Sequence, residues 1–401
     1  MGDPILLFLV NGEHNSAMGI RARSFAERLR SGFCIHIAYR SAHKIYAIFR
    51  FLRLLLRHRP ALCYVLDIGF SGVLAASLYR VLSRCRVVVD TGDAIYELSR
   101  NSGRRGRISL WLTRLLEQLA LSISHRIVVR SHPHQEWLAS QGKKADVIPD
   151  GVDTARFSPS PADDLRRQYG LEGCLIIGLV GSLIWNDRWQ MCYGWELIEL
   201  IDRLRARPVK GFIIGDGSGL QKLKAQCVAR GLENRIVFVG RIPYDDLPRY
   251  LNLLDVCLST QTNDTAGQVR TTGKLPLYLA CGRFVLASAL GEAARVLPPE
   301  MLVQYNGTKD SEYPTRLAAR VQTLLAHPEY LQQREASILI AQTHFDYNVL
   351  AARLQQTIYE LLPAAAPLGA VAPQTSLAER RRGDVNGPPC SRPEPRGGRT
   401  R

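Results

Sequence analysis

Short uninterrupted apolar runs alternate with stretches in which apolar residues return every three or four positions, and this alternation persists through most of the chain. The runs Ile5–Val10, Cys34–Ala38, Ala61–Leu66, Arg86–Asp90, Arg126–Val129 and Ala145–Ile148 are too short for buried helices and predict strands. The segments Ile20–Arg30 and Ile45–Arg57 carry helical spacing between them. The pattern resumes with predicted strands Leu175–Val180, Lys210–Ile214, Ile236–Val239, Val256–Ser259 and Phe284–Ala287. Helical spacing there covers Gly219–Arg230, Asp246–Leu253, Leu275–Cys281 and Glu312–Ala326. Strands that alternate with helices predict parallel sheets joined by crossover helices, and near-continuous apolar strands predict sheets covered on both faces. The stretch from Pro149 to Pro161, rich in Asp, Ser and Pro, reads as a linker, and Tyr347–Leu362 as a last helix. From Pro363 the composition turns to Pro, Ala, Gly and Arg, which predicts a disordered tail over 363–401. The expected fold class is α/β, with two Rossmann-like doubly wound halves at 1–155 and 156–345 and a C-terminal helix at 346–362.

A length of 401 residues with 46% hydrophobic side chains suffices for two such cores without a metal or disulfide staple. The nine cysteines form no Cys-x-x-Cys pair, and several lie in apolar runs, which predicts free thiols in a reducing, cytoplasmic compartment. The start of the chain reads as a buried strand, not a signal peptide, and no apolar stretch is long enough to span a bilayer. The net charge is +16. Residues 1–150 hold 22 Lys and Arg against 11 Asp and Glu, whereas residues 151–362 hold 23 against 22. The positive field therefore belongs to the first half, and such a field attracts an anionic substrate or a membrane surface. No nucleic-acid recognition motif accompanies it.

Five segments then occur in order. Ile148-Pro149-Asp150-Gly151-Val152-Asp153 leads to Phe157-Ser158-Pro159. Gly178-Leu179-Val180-Gly181-Ser182 ends a predicted strand, and Ile213-Ile214-Gly215-Asp216-Gly217 ends the next. Val239-Gly240-Arg241-Ile242 follows, and then Gly273-Lys274-Leu275-Pro276-Leu277-Tyr278-Leu279-Ala280-Cys281-Gly282. One glycine-rich turn carries little information, but five segments at these distances resemble the retaining glycosyltransferases of family 4 over about residues 145–290. The resemblance implies the GT-B fold, two Rossmann-like domains facing across a cleft, with the last helix returning to the first domain. It implies transfer of a sugar from a nucleotide-diphosphate sugar, with retention of configuration and no metal or other cofactor.

The same resemblance assigns donor contacts to Gly181, Ser182, Gly215, Asp216, Gly217, Arg241 and Ile242. Glycine turns at strand ends let backbone amides approach phosphate oxygens. Lys274 matches the family cation that stabilises the leaving diphosphate. A second family cation falls at Asn186, so Arg188 is the candidate substitute, against the plainer reading of a solvated loop charge. The family also carries two glutamates eight positions apart, where this chain has Val269 and Leu277, neither of which accepts a hydrogen bond. Asp264 or Gln268 is the expected replacement at the sugar, with Thr271 or Thr272 capping the helix that follows. The missing pair keeps open a second reading, a non-catalytic GT-B protein that binds a nucleotide or a partner enzyme. A nucleotide-sugar epimerase of the same fold is a third, without its pattern of acidic residues.

On the acceptor side, Gly12, Glu13, His14 and Gly19 occupy a polar loop after the first strand. Asp90, Asp93 and Glu97 follow the fourth, where the family places an acceptor-side catalytic group. Asp93 is the expected acceptor-side base, with a turn or helix cap as the plainer alternative. The pair His132 and His134 lacks a third ligand and is not expected to hold a metal. The basic amphipathic stretch Lys44–Arg59 reads either as a helix covering the sheet or as an interfacial helix on anionic lipid at the membrane's inner face. Arg104, Arg105 and Arg107 flank a loop that suits a lipid diphosphate acceptor. The expected partners are thus a nucleotide-diphosphate sugar, a glycan or lipid-linked acceptor and an anionic membrane.

Overall fold

The structure is a computed structural model that describes residues 3–30, 32–40 and 43–362. The expected tail lies outside the described residues. The first sheet is built from β1 (Ile5–Val10), β2 (Cys34–Tyr39), β3 (Leu62–Leu66), β4 (Arg86–Thr91), β5 (Arg126–Val129) and β6 (Ala145–Val147). Its order is β2-β1-β3-β4-β5-β6, all parallel. The connecting helices are α1 (Ala17–Leu29), α2 (Lys44–His58), α3 (Phe70–Leu82), α4 (Ile95–Asn101), α5 (Arg107–Ile123) and α6 (His132–Ala139).

The second sheet follows α7 (Asp163–Gln168). Its strands are β7 (Leu175–Val180), β8 (Val209–Ile214), β9 (Ile236–Gly240), β10 (Val256–Ser259), β11 (Phe284–Ser288) and β12 (Leu302–Val303). Its crossovers are α8 (Trp195–Arg203), α9 (Leu220–Ala229), α10 (Leu247–Leu253), α11 (Thr265–Val269), α12 (Lys274–Ala280) and α13 (Ala293–Val296). Helices α14 (Tyr313–Ala326), α15 (Arg334–His344) and α16 (Tyr347–Leu361) close the chain. The order β12-β11-β10-β7-β8-β9 is parallel throughout and reverses direction between β7 and β10. In such sheets ligands collect at the strand C-termini where the order reverses. In the first sheet the reversal falls between β1 and β3.

The strands are buried on both faces, as their apolar runs require. Leu6, Phe8 and Val10 of β1 pack with Phe25 of α1 and with Leu350 and Leu354 of α16, whereas Leu7 and Leu9 pack with α2 and α3. The last helix therefore covers the first sheet, not the second. The chain crosses between the halves twice, and the crossings pair: Val152 N–H donates to Phe345 O at 2.8 Å and Tyr347 N–H to Val152 O at 3.0 Å. Arg21, almost wholly buried in α1, donates to Ile148 O at 2.8 Å and Pro149 O at 2.6 Å, which fixes the end of the linker to the first half.

Candidate functional site

The strand C-termini of the two sheets meet. Strand β4 ends in Asp90-Thr91 and is followed by Gly92-Asp93, and the three carboxylates around this edge have different fates. Asp90 has no exposed surface. It accepts from Arg21 Nε at 2.8 Å and Tyr64 Oη at 2.6 Å and lies 3.5 Å from Arg130 Nε. Burial alone would raise its pKa, but the two guanidinium groups hold it below the usual carboxylate range. Asp90 is therefore a structural counter-ion and not an acceptor-side group, because no acceptor reaches it.

Asp93 accepts from Arg270 Nε at 2.6 Å, an ion pair between the halves. Burial opposes its charge, but Arg270 outweighs it and lowers the pKa. A carboxylate held in this way is a weak proton acceptor, so the pairing counts against its role as a base. The third carboxylate is Asp67, directly after β3 and absent from the sequence reading. Its backbone is left-handed, with φ +70°, and its N–H donates to Asp90 O at 2.8 Å. One oxygen accepts from Ile68 N–H at 3.0 Å, and the group forms no ion pair among the described residues. Burial, offset by Arg130, pushes its pKa up to about 6. His134, buried beside Asp93 and Arg130, is pushed down to about 4 by burial and is neutral at pH 7. His132 instead faces Glu292, 2.9 Å away, so the two histidines do not converge.

The loop before α12 supplies the opposing cations. Arg270 rises above the usual guanidinium range because Asp93 outweighs its burial. Lys274 opens α12, its ammonium 5.6 Å from the Tyr193 ring centre. Burial and Arg270 lower its pKa, against the opposing charge of Glu196, itself buried in the first turn of α8. Sequence reasoning placed Lys274 here and missed Arg130, Arg270 and Glu196, because nothing local marks which arginine or glutamate turns inward.

The glycine turns pair their amides within the protein. Gly181 N–H donates to Ile214 O at 3.0 Å, Gly215 N–H to Gly240 O at 2.8 Å and Gly217 N–H to its neighbour Asp216 Oδ1 at 2.7 Å. The first two amides are spent on joining neighbouring strand ends, whereas the third closes on the exposed side chain beside it. Ser182, between them, is exposed, and it has no hydrogen-bond partner among the described residues. Asp216 and Arg241 are exposed, Ile242 is half-buried, and Leu277 packs against the second core. Arg188 is exposed and lies against Gly103 of the first half.

Asp264 caps α11 by accepting from Gly267 N–H at 2.7 Å, and it accepts from Asn101 Nδ2 of the first half at 2.9 Å. Gln268 is exposed and donates to Asn263 Oδ1 at 2.7 Å. Neither threonine caps α12. Thr271 donates to Arg130 O at 2.6 Å, and Thr272 pairs with Ser259 at 2.8 Å. The N-cap is Gly273, which has no side chain to offer.

On the acceptor side, Gly12 and Gly19 are buried in the loop after β1, while Glu13 and His14 are exposed. The His14 ring pairs with Asn15 Oδ1 at 2.8 Å and packs on Tyr39. Glu97 is ion-paired with Arg100 at 2.5 Å. Among the described residues, no group of three or more His, Cys, Asp or Glu is arranged to hold a metal, and no helix is long and apolar enough to cross a membrane.

Residues 175–327, within the second half, match the glycosyl transferases group 1 family. The 2-deoxystreptamine glucosyltransferase of Streptomyces kanamyceticus is 31% identical over 32% of this chain and 34% of its own length. The GDP-mannose-dependent alpha-(1-6)-phosphatidylinositol monomannoside mannosyltransferase of Mycolicibacterium smegmatis is 29% identical over 49% of this chain and 50% of its own length. The chain thus spans half or less of the length of these curated relatives. Among solved structures, Anabaena HepE in complex with UDP and glucose superposes with a TM-score of 0.71 at 18% identity, over 89% of this chain and 100% of that one. Sucrose-phosphate synthase from Thermosynechococcus elongatus gives 0.72 at 18% identity, over 90% and 100%. The fold is GT-B.

Proposed function

We propose that this protein is a glycosyltransferase that moves a sugar from a nucleotide-diphosphate sugar to a hydroxyl of a glycan or lipid-linked acceptor. The observation that carries the reading is the group of cations Arg270 and Lys274 beside the β7–β10 reversal, opposite Asp93 of the first half. The diphosphate takes the cationic side, near the free amide and hydroxyl of Ser182, and the acceptor enters from the first half. In the step itself the bond between the sugar's C1 and the diphosphate oxygen breaks. The acceptor oxygen bonds C1 on the same face, and its proton leaves with the diphosphate. Lys274 and Arg270 stabilise the charge that develops on the leaving group, with Arg188 joining them if its loop swings inward. No metal takes part, so chelator leaves the rate unchanged. Asp93 stays ionised and orients both Arg270 and the acceptor hydroxyl.

A second reading, binding without transfer, is favoured by Leu277 and Val269, which leave the ribose without the family's carboxylates. Calorimetric titration with UDP, GDP and ADP separates the two. Sugar transfer requires that one diphosphate bind selectively, and that Lys274→Ala weaken it about tenfold or more, the loss of one charge-assisted contact. Absence of binding by all three sinks the transfer reading.

A further inference from the structure

The first half carries a surface unlike the rest of the molecule. Helices α2, α3 and α5 lie side by side on one face of the first sheet, where Phe51, Leu55, Val73, Ala76 and Ala120 enter the core. Each helix also turns a second set of apolar side chains outward. On α5, Ile108, Trp111 and Leu115 recur at helical spacing, with Ile108 77% exposed. Val81 and Leu82 of α3 are 86% and 70% exposed, and Ile45 and Phe49 of α2 stand out in the same way. Of the sixteen exposed large apolar side chains among the described residues, twelve belong to these three helices. Apolar faces of this kind mark contacts, not ordinary surface.

Exposed carboxylates are missing from the face. The chain has no Asp or Glu between Arg28 and Leu66 or between Ile68 and Val89, and between Leu98 and Gln135 it has Glu117 alone. Glu117 is buried and accepts from Ile95 N–H at 2.6 Å. Among the described residues, Arg53, Arg57, Arg84 and Arg107 form no ion pair. The second half is arranged otherwise, as Arg203 with Glu199 and Arg230 with Asp202 illustrate. A groove of about 670 Å³ opens where α2 and α3 end, lined by Leu56 and Leu82 below and by Arg59 and Arg84 beside them.

The occupant must therefore be apolar and anionic together. A second copy of this face would set arginines against arginines, as a two-fold contact requires. Residues 363–401 hold 7 Lys and Arg against 3 Asp and Glu, so they add positive charge and do not neutralise it. A bilayer of anionic phospholipid offers both acyl chains and phosphates. We propose that the α2–α3–α5 face docks on such a bilayer. Phe49, Val81, Leu82, Ile108 and Trp111 enter the acyl boundary, and Arg53, Arg57, Arg84 and Arg107 lie at the phosphates. The surface goes beyond the sugar-transfer reading and stands without it.

The test is sedimentation of the full chain with vesicles of phosphatidylcholine, alone or mixed with phosphatidylglycerol. Binding is expected to the mixed vesicles only and to weaken with salt. Arg53→Gln and Arg57→Gln each lower it about fivefold. Phe49→Ser lowers it roughly tenfold, with its melting temperature read in parallel as a check on folding. Trp111 emission shifts to the blue on the mixed vesicles and is quenched by brominated lipid, whereas Trp111→Phe still binds without that signal. A chain that stays in the supernatant with both vesicle types overturns the proposal, as does a dimer in light scattering that Phe49→Ser disperses without vesicle binding. Binding of a nucleotide diphosphate but not of vesicles overturns this docking alone. Binding of vesicles but of no nucleotide overturns the sugar-transfer reading alone.

Discussion

At the scale of residues, three aspartates within one strand edge have separate roles, set by their partners. Asp90 is enclosed by two arginines and a tyrosine, Asp93 is paired across the halves, and Asp67 faces Arg130 without an ion pair. The left-handed backbone of Asp67 is uncommon for a residue with a side chain and marks a position held by its surroundings. Its folded pKa of about 6 lies above the unfolded carboxylate value. The folded state therefore binds this proton more tightly. The charge costs stability above about pH 6, and the cost disappears as pH falls toward the unfolded value, about pH 4. Asp67→Asn is expected to stabilise the protein by about 1 kcal/mol near neutral pH, a figure reduced for the group's partial exposure, and by about nothing near pH 4. Denaturant unfolding at both pH values checks it, and a gain that does not change with pH would refute the assignment. Nothing local in the chain marks Asp67, which stands alone at the end of an apolar run.

At the scale of elements, strand positions were legible to within a residue or two, because a run of apolar residues between turn formers is a local signal. Helices α3 to α8, α11, α13 and α15 and the two-residue strand β12 were not separately identified, since several are short and the burial of the rest is settled by packing against distant parts of the chain. The glycine turns stand where the sequence places them, and for Gly215 to Gly217 the geometry is that of the sharp backbone turn which glycine permits. Gly215 has φ +148°, and a Cβ there would overlap the Gly181 carbonyl oxygen. The glycines at 181 and 215 allow the β7 and β8 turns to interlock, which positions Ser182 beside them. Gly215→Ala should cost about 2–3 kcal/mol by thermal or denaturant unfolding, from backbone strain and overpacking together. A substitution that leaves stability within about 0.5 kcal/mol would show that the turns do not interlock in solution.

At the scale of the whole molecule, contacts between the halves gather at the strand ends, among them Asp93 to Arg270, Asn101 to Asp264 and Thr271 to the Arg130 carbonyl. If Asp93 acts by orienting Arg270, the two act as a unit in transfer. Asp93→Asn and Arg270→Gln should each lower kcat/KM about tenfold or more, and the double variant should be little worse than either, a coupling of about 1–2 kcal/mol. Independent, multiplicative losses would separate the two residues and return Asp93 to a role of its own.

By itself the sequence determined what local physics determines: the order of strands and helices, the linker, the glycine turns, the basic first half and Lys274 at the head of its helix. These follow from periodicity, turn chemistry and composition, each readable within a short window. The tertiary structure alone decided which charges meet. Asp93 and Arg270 lie 177 residues apart, and Arg21 reaches Pro149 across 128. Such pairings depend on how two sheets face one another, and each has an energy only once burial has stripped the water from both partners. The same holds for α2, α3 and α5. Their apolar residues were visible in the chain, but only packing showed which of them the core takes and which it leaves outside.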